Sequence, residues 1–374
     1  RGFEVVYKAI RTIFIYQLWF PKSMVIAVGT IRIKHDGEVV QKTARSWKKS
    51  NVTFPEVTAV IKLYKAHKKL DLLIDAKNPQ FLKGQILKGQ PQGARIATLP
   101  DGQKLDKAFS LFAPHLRLHD QDSHDHWDVL FQNKGGTWAY CYSVEKKAQH
   151  RTRKYKKVHQ FDKLYTTLLH NVSKGLKYED DHLAIPMFTL LKTHMRIGNE
   201  IYFKAHNHKG LTTLKKKDVS INGNTVTFRY LAKDGVPRTI VEKFPSSYIR
   251  RLGKTMKGLR KNDFVFASCK TGHPLKEIQF KKAFVKYCGK EFYPHIVRSH
   301  YATSKVELFL KGRRKASKEE VQQLYYSIAS KLGHKKFVKK THTWEDNYSV
   351  TVNHYIQPEL VERVKSILKF LLLK

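Results

Sequence analysis

The chain has 374 residues, 41% of them hydrophobic and 12% aromatic, which is enough for two or three domains with cores and too apolar for a disordered basic tail. Lys and Arg number 71 against 31 acids, and the resulting net charge of +40 exceeds what solubility requires and points to a polyanionic partner. The absence of any run of about 18 apolar residues argues against a membrane-spanning helix, and the three widely spaced cysteines, Cys141, Cys269 and Cys288, fit neither a disulfide framework nor a CxxC metal knuckle, so a reducing compartment is expected.

In chain order, residues 2–43 read as β-structure. FEVVY, TIFIYQLWF, MVIAVGTIRI and EVVQKT are short runs rich in Val, Ile and aromatics, with HDG at His35 to Gly37 as a hairpin turn. TIFIYQLWF lacks the length and the small-residue cleavage site of a signal peptide. After Pro55, apolar residues at Val57, Val60, Ile61, Tyr64, Leu70 and Leu73 predict helical structure over Glu56 to Ile74. Gly and Gln punctuate Pro79 to Pro100, giving loops and edge strands.

His119, Asp120, His124, Asp125 and His126 form an acidic, histidine-rich stretch whose spacing matches no metal-binding motif, and it is read as solvent-facing or capping. WDVLFQN and GGTWAYCYSV then predict a hairpin, with Gly135 and Gly136 in the turn. Composition changes at Ser143, so two domains are expected, a β-rich one over 1–143 and a mainly helical one over 144–374, beginning with the basic tract EKKAQHRTRKYKK. One β-segment interrupts the second half: Val226, Phe228 and Tyr230 alternate on one face, the chain turns at Lys233, Asp234 and Gly235, and it returns through Thr239 and Val241.

The last quarter carries the chemistry. YPHIVRSHYAT supplies Arg298, LGH supplies His334, and NHYIQPELVERVKSIL places Tyr355 at the head of a terminal helix; MRIGNE and LAKDGVP add Arg196 and a turn lysine, Lys233. Two guanidinium forks can neutralise the non-bridging oxygens of a phosphodiester in a way that lysine cannot. A phenol can then attack phosphorus, and a positioned proton donor can assist the alkoxide leaving group.

RIGNE, then GLTTLKKKDV, then a hairpin carrying AKD, followed by HIVRSHYAT, LGH and NHYIQP, resemble the catalytic domain of type IB DNA topoisomerases, particularly the viral and bacterial branch, from about Trp138 to Ile367. The segments ARIATLPDGQKLDKAFSLFAPHLRLHD and WDVLFQNKGGTWAYCYS are similar to the N-terminal β-rich domain of a bacterial-type subgroup. The resemblance implies an α+β fold, a β-rich domain and a mainly helical catalytic domain closing as a monomeric clamp on double-stranded DNA. It also implies relaxation of supercoils through a 3′-phosphotyrosyl intermediate, without ATP, metal or other cofactor. The setting would be cytoplasmic and nucleoid-associated, or nuclear or viral.

By motif, Arg196 and Arg298 would bind the phosphate, Lys233 would be the general acid, His334 would hydrogen-bond a non-bridging oxygen and Tyr355 would be the nucleophile. Tyr348 competes with Tyr355, and His342 and His354 with His334. Twenty-one residues separate His334 from Tyr355, more than in the compact poxvirus-like form, so KKFVKKTHTWEDNYS is read as an inserted loop. Tyr140 and Tyr142 resemble an aromatic element that meets DNA, and Arg151, Arg153, Lys154, Lys156, Lys157, Lys215 and Lys216 are expected to contact phosphates, which fixes register without reading sequence. The same catalytic set serves tyrosine recombinases and telomere resolvases, and a non-catalytic DNA-packaging protein is the remaining alternative.

Overall fold

Alternating apolar residues and turn glycines build the first half as the sequence predicts. The computed structural model describes residues 26–93, 96–119, 127–133 and 136–369, and the chain divides into two compact units, 1–151 and 152–374. In the first unit, a five-stranded antiparallel sheet runs from edge to edge as Trp47–Lys49, Val39–Lys42, Ile31–Ile33, Gln85–Leu87 and Gln90–Gln92. Gly37 takes φ 104° in the HDG turn between two of these strands, a conformation open to glycine. The expected strands FEVVY and TIFIYQLWF lie outside the described residues.

The helix Pro55–Ala66 buries Val57, Val60, Ile61 and Tyr64, the predicted stripe. It stops short of Ile74: Lys68 has φ 55°, and a separate 3-10 turn, Leu70–Leu73, follows. Val129–Gln132 pairs with Trp138–Cys141 as the expected hairpin, turning Trp138 and Tyr140 outward and Cys141 inward.

In the second unit, one core gathers the helices Val144–Gly175, Ala184–Thr193, Ser246–Lys257 and Glu277–Cys288 around the sheet Val219–Asn222, Thr225–Leu231, Pro237–Lys243. On the returning strand the register sets Ile240 opposite Phe228, so Ile240 is buried while Thr239 and Val241 face solvent. Period-two alternation in RTIVE fits either face, and the pairing with Phe228 decides it. A further apolar cluster joins Ile296–Leu310, Lys318–Leu332 and the terminal helix Pro358–Lys369, and it includes Tyr355 and Ile356. The expected inserted loop is a β-hairpin, Lys335–Val338 paired with Thr343–Asp346. The fold is thus α+β, with antiparallel sheets first and a mainly helical catalytic region after. Among the described residues, no helix is long and apolar enough to cross a membrane.

Candidate active site

Glycine motifs place the first arginine. Leu211 N–H donates to the carbonyl of Arg196 at 2.8 Å, and the Thr212 hydroxyl donates to the carbonyl of Gly198 at 3.2 Å. A Cβ on Gly210 would sit 2.6 Å from the Arg196 carbonyl oxygen, and one on Gly198 would sit 2.4 Å from Thr213 Oγ1. RIGNE and GLTT therefore need their glycines because the two backbones touch. Asn199 caps the next helix, Glu200–His206, accepting from the N–H groups of Ile201 and Tyr202.

The LGH motif has a similar logic. Gly333 ends the helix Lys318–Leu332 with φ 73°, and Arg238 lies where its Cβ would be, capping the carbonyls of Ser330 and Lys331 at 2.8 and 2.9 Å. His334 leaves that cap directed into the site.

Tyr355 is not at the head of the terminal helix. It closes the short helix Ser349–His354, and the terminal helix begins at Pro358. Its ring sits in the apolar cluster at 4% exposure, and its hydroxyl lies at the polar edge. Arg196 Nη2 donates to Tyr355 Oη at 3.3 Å, and His295 Nε2 lies 2.8 Å from the same oxygen. Arg298 lies over the Tyr355 ring, its Cζ 5.2 Å from the centroid. The competitor Tyr348 packs on Tyr325 and Tyr326 instead, at centroid distances of 5.7 and 4.8 Å.

Arg298 is 2% exposed, and no carboxylate among the described residues pairs with it or with Arg196. Its Nη1 donates to the carbonyl of His194 at 2.6 Å, and its Nη2 donates to the carbonyl of Leu332 at 2.9 Å and to His334 Nε2 at 3.0 Å; its Nε is buried without a partner. Burial foremost, then Arg196, pulls the guanidinium down to about 10, against the opposing pull of Tyr355, so it stays cationic at neutral pH. His194 presents its carbonyl from a left-handed conformation, φ 56°, which also launches the chain towards Arg196.

Both site histidines are shifted towards the neutral form. His334, 5% exposed, is pushed down to about 3 by burial and then by Arg298 and Arg196. Its Nε2 accepts from Arg298, which assigns the proton to Nδ1, from which it donates to Thr351 Oγ1 at 2.7 Å. The expected donor to a phosphate oxygen is therefore engaged as an acceptor here. His295 is shifted down to about 3, by burial first and then by Arg298, Arg196, Lys154 and Lys233, although the residue as a whole is exposed. For Tyr355, burial raises the pKa, but Arg298 and Arg196 outweigh it and the net shift is downward.

His295 escaped the sequence reading because a histidine before the apolar pair Ile296 and Val297 reads as the start of a helix. The signal was its spacing: His295 and Arg298 stand three apart, one helical turn, and share a face.

Lys233 sits where it was expected, at the tip between Thr225–Leu231 and Pro237–Lys243. It is exposed, with Asp234 at φ 64° beside it. Two of the lysines expected at phosphates have partners within the protein. Lys216 Nζ donates to the carbonyl of Leu259 at 2.7 Å, and Lys215 Nζ lies 5.3 Å from the Phe203 ring and 5.6 Å from that of Phe264. Both ammonium groups are thus held against the protein, whereas Lys217 is exposed. Arg151, Arg153, Lys156 and Lys157 are exposed on the helix Val144–Gly175, as is Tyr140 on its strand, while Tyr142 is half-buried with its ring against His150. Lys154 turns inward to the segment of Tyr355, donating to the carbonyl of His354.

His119 stacks on Trp127 with centroids 3.3 Å apart, and the rest of its Asp-His stretch lies outside the described residues. Among the described residues, no group of three or more His, Cys, Asp or Glu is placed to hold a metal ion.

Residues 143–357 match the family described as eukaryotic DNA topoisomerase I, catalytic core. The chain belongs to this family. The match spans all five predicted catalytic residues of the DNA topoisomerase I motif set, and its description is of the eukaryotic core, whereas the motifs resembled the viral and bacterial branch most. No curated protein matches the chain. Among solved structures, it is similar to the XerH site-specific recombinase bound to difH substrate in a pre-cleavage complex, at 17% identity and a TM-score of 0.31 over 44% of this chain and 45% of that one. It is also similar to the XerH post-cleavage complex on palindromic difH, at 17% identity and a TM-score of 0.33 over 54% and 51%. The chain thus covers about half the length of these recombinases.

Proposed function

We propose that this protein relaxes supercoiled double-stranded DNA by cutting one strand through Tyr355, holding the 3′-phosphate covalently and resealing it. The observation that carries the reading is the convergence of Arg196, Arg298, His295 and His334 on one phenol, with no carboxylate among the described residues to neutralise the guanidiniums. A buried, unpaired cation is costly, and an anion that fits it recovers that cost. A phosphodiester supplies both the anion and the electrophile.

The chemistry follows from the contacts. His295 Nε2 takes the phenolic proton as Tyr355 Oη bonds to phosphorus, and the Arg196 and Arg298 cations hold the charge that builds on the non-bridging oxygens. As Arg298 Nη2 turns to a phosphate oxygen, His334 Nε2 is released. In its other tautomer it donates to that oxygen, while Thr351, whose hydroxyl can act either way, donates to Nδ1. Lys233 protonates the departing 5′-oxygen. The new phosphotyrosyl ester retains the energy of the broken bond, so the freed 5′-hydroxyl reseals the strand by the reverse step. The exposed cations Arg151, Arg153, Lys156 and Lys157, with Tyr140 of the first unit, hold the duplex through its backbone.

The test is relaxation of a supercoiled plasmid that lacks any recombination site, without ATP and with chelator present. The expected outcome is a ladder of partly relaxed topoisomers from both positively and negatively supercoiled DNA. Activity confined to one DNA site would instead favour a recombinase, and no protein-linked 3′ ends after a denaturing quench, with the plasmid left uncut, would favour a packaging protein.

A further inference from the structure

The segment that carries Tyr355 lacks its own backbone support. In a continuous helix the carbonyl of His354 would accept from the N–H four residues on, but that residue is Pro358, which has none. The short helix ends at Tyr355, with φ −121° and ψ −24°, and the carbonyls of residues 354, 355 and 356 are left at a break between two helices. Each of the three is met by a side chain. Lys154 Nζ donates to the carbonyl of His354, the Thr303 hydroxyl donates to that of Tyr355 at 3.4 Å, and the buried Tyr155 hydroxyl donates to that of Ile356 at 2.6 Å. Lys154 Nζ also stands 5.5 Å from the centroid of the Tyr355 ring.

We propose that Lys154 is a positioning residue for the nucleophile, taking the place of the missing Pro358 amide and, with Tyr155 on the other side, fixing the reach of the Tyr355 hydroxyl towards phosphorus. This rests on the reading of Tyr355 as the nucleophile. It changes the role of a residue whose neighbours in RTRKYKK point outward: Arg153, Lys156 and Lys157 are exposed, and Lys154 and Tyr155 turn in. The cation beside the ring also favours the phenolate over the phenol, so losing it affects the ionisation of the nucleophile as well as its placement.

Lys154→Met keeps most of the stem and removes the donor and the charge, Lys154→Arg keeps both, and Tyr155→Phe removes only the second anchor. Single-turnover cleavage of a linear duplex at saturating enzyme should fall at least tenfold in Lys154→Met, be largely restored in Lys154→Arg and fall severalfold in Tyr155→Phe. The rising limb of cleavage rate against pH should move to higher pH in Lys154→Met alone. DNA affinity and its salt dependence, measured in a Tyr355→Phe background, should stay within twofold of the parent.

A cleavage rate at saturation equal to wild type, with a salt slope reduced by about 0.9, would make Lys154 a plain phosphate contact and overturn the inference. The single variant Tyr355→Phe runs in parallel. If it is inert while Lys154→Met and Tyr155→Phe cleave normally, only the positioning role falls. If Tyr355→Phe itself cleaves, the nucleophile reading has failed and the positioning role falls with it.

Discussion

The pocket around Tyr355 and the hairpin that bears Lys233 are built on opposite principles. In the pocket, the cation Arg298 is almost fully buried, held by two backbone carbonyls and a histidine, and Tyr355 has its ring in an apolar cluster and its hydroxyl among charged donors. At the hairpin tip Lys233 is exposed, beside a left-handed Asp234, with no hydrogen-bond partner for its ammonium among the described residues. On the proposed reading, the nucleophile and the guanidiniums sit in a packed pocket, and the lysine assigned to the leaving oxygen sits on an exposed turn.

The largest effect that tests this contrast is at Arg298. Lys cannot reach the carbonyls of His194 and Leu332 and His334 Nε2 together, so Arg298→Lys should lower single-turnover cleavage by about a hundredfold or more and lower the melting temperature too. Measured together, cleavage and melting should move together; loss of cleavage with unchanged melting would show that Arg298 is not part of the folded framework. Lys233→Met should behave oppositely. Cleavage should fall by about 10²–10⁴-fold with no change in melting, and a substrate with a sulfur leaving atom at the scissile 5′ position should recover most of the rate, because a thiolate leaves without a proton. An equal defect on the sulfur substrate would remove Lys233 from the acid role.

Smaller effects sharpen the pocket. His295→Gln should slow cleavage by about ten- to a hundredfold at pH 7 and less at higher pH, where the phenol ionises without a base; a defect that is constant with pH would show that His295 is not the proton acceptor. A further effect concerns stability. His334 and His194 have folded pKa values pushed down to about 3. The unfolded chain therefore binds protons below about pH 6.5 that the folded one does not, and stability should fall as pH falls between about 6.5 and 3 by about 1.4 kcal/mol per pH unit for each group. Denaturant titrations at pH 7, 6 and 5 read that slope. His334→Gln should reduce it by one group's share, and an unchanged slope would contradict the buried neutral state.

Much of this was legible beforehand. The stripe Val57, Val60, Ile61, Tyr64 and the alternation Val226, Phe228 are periodicities that the core enforces, and RIGNE, AKD and LGH are short motifs whose glycines and turn residues have local causes. What was not legible depends on distant partners. Lys215 and Lys216 read as free cations until Phe203, Phe264 and the carbonyl of Leu259 are seen beside them. The choice of Ile240 over Val241 for the core is made by the pairing with Phe228. The contact of His295 with Tyr355, sixty residues on, is made by the fold, and only the spacing from Arg298 hinted at it. The stretch after His334 read as a loop because its alternation around Phe337 and Trp344 is only four residues per strand.

One measurement bears most directly on the account. The protein is mixed with duplex DNA, quenched in denaturant and digested, and the residue left covalently attached to the 3′-phosphate is identified by mass spectrometry. The account predicts Tyr355 alone; attachment at Tyr348, or at any other residue, would contradict it.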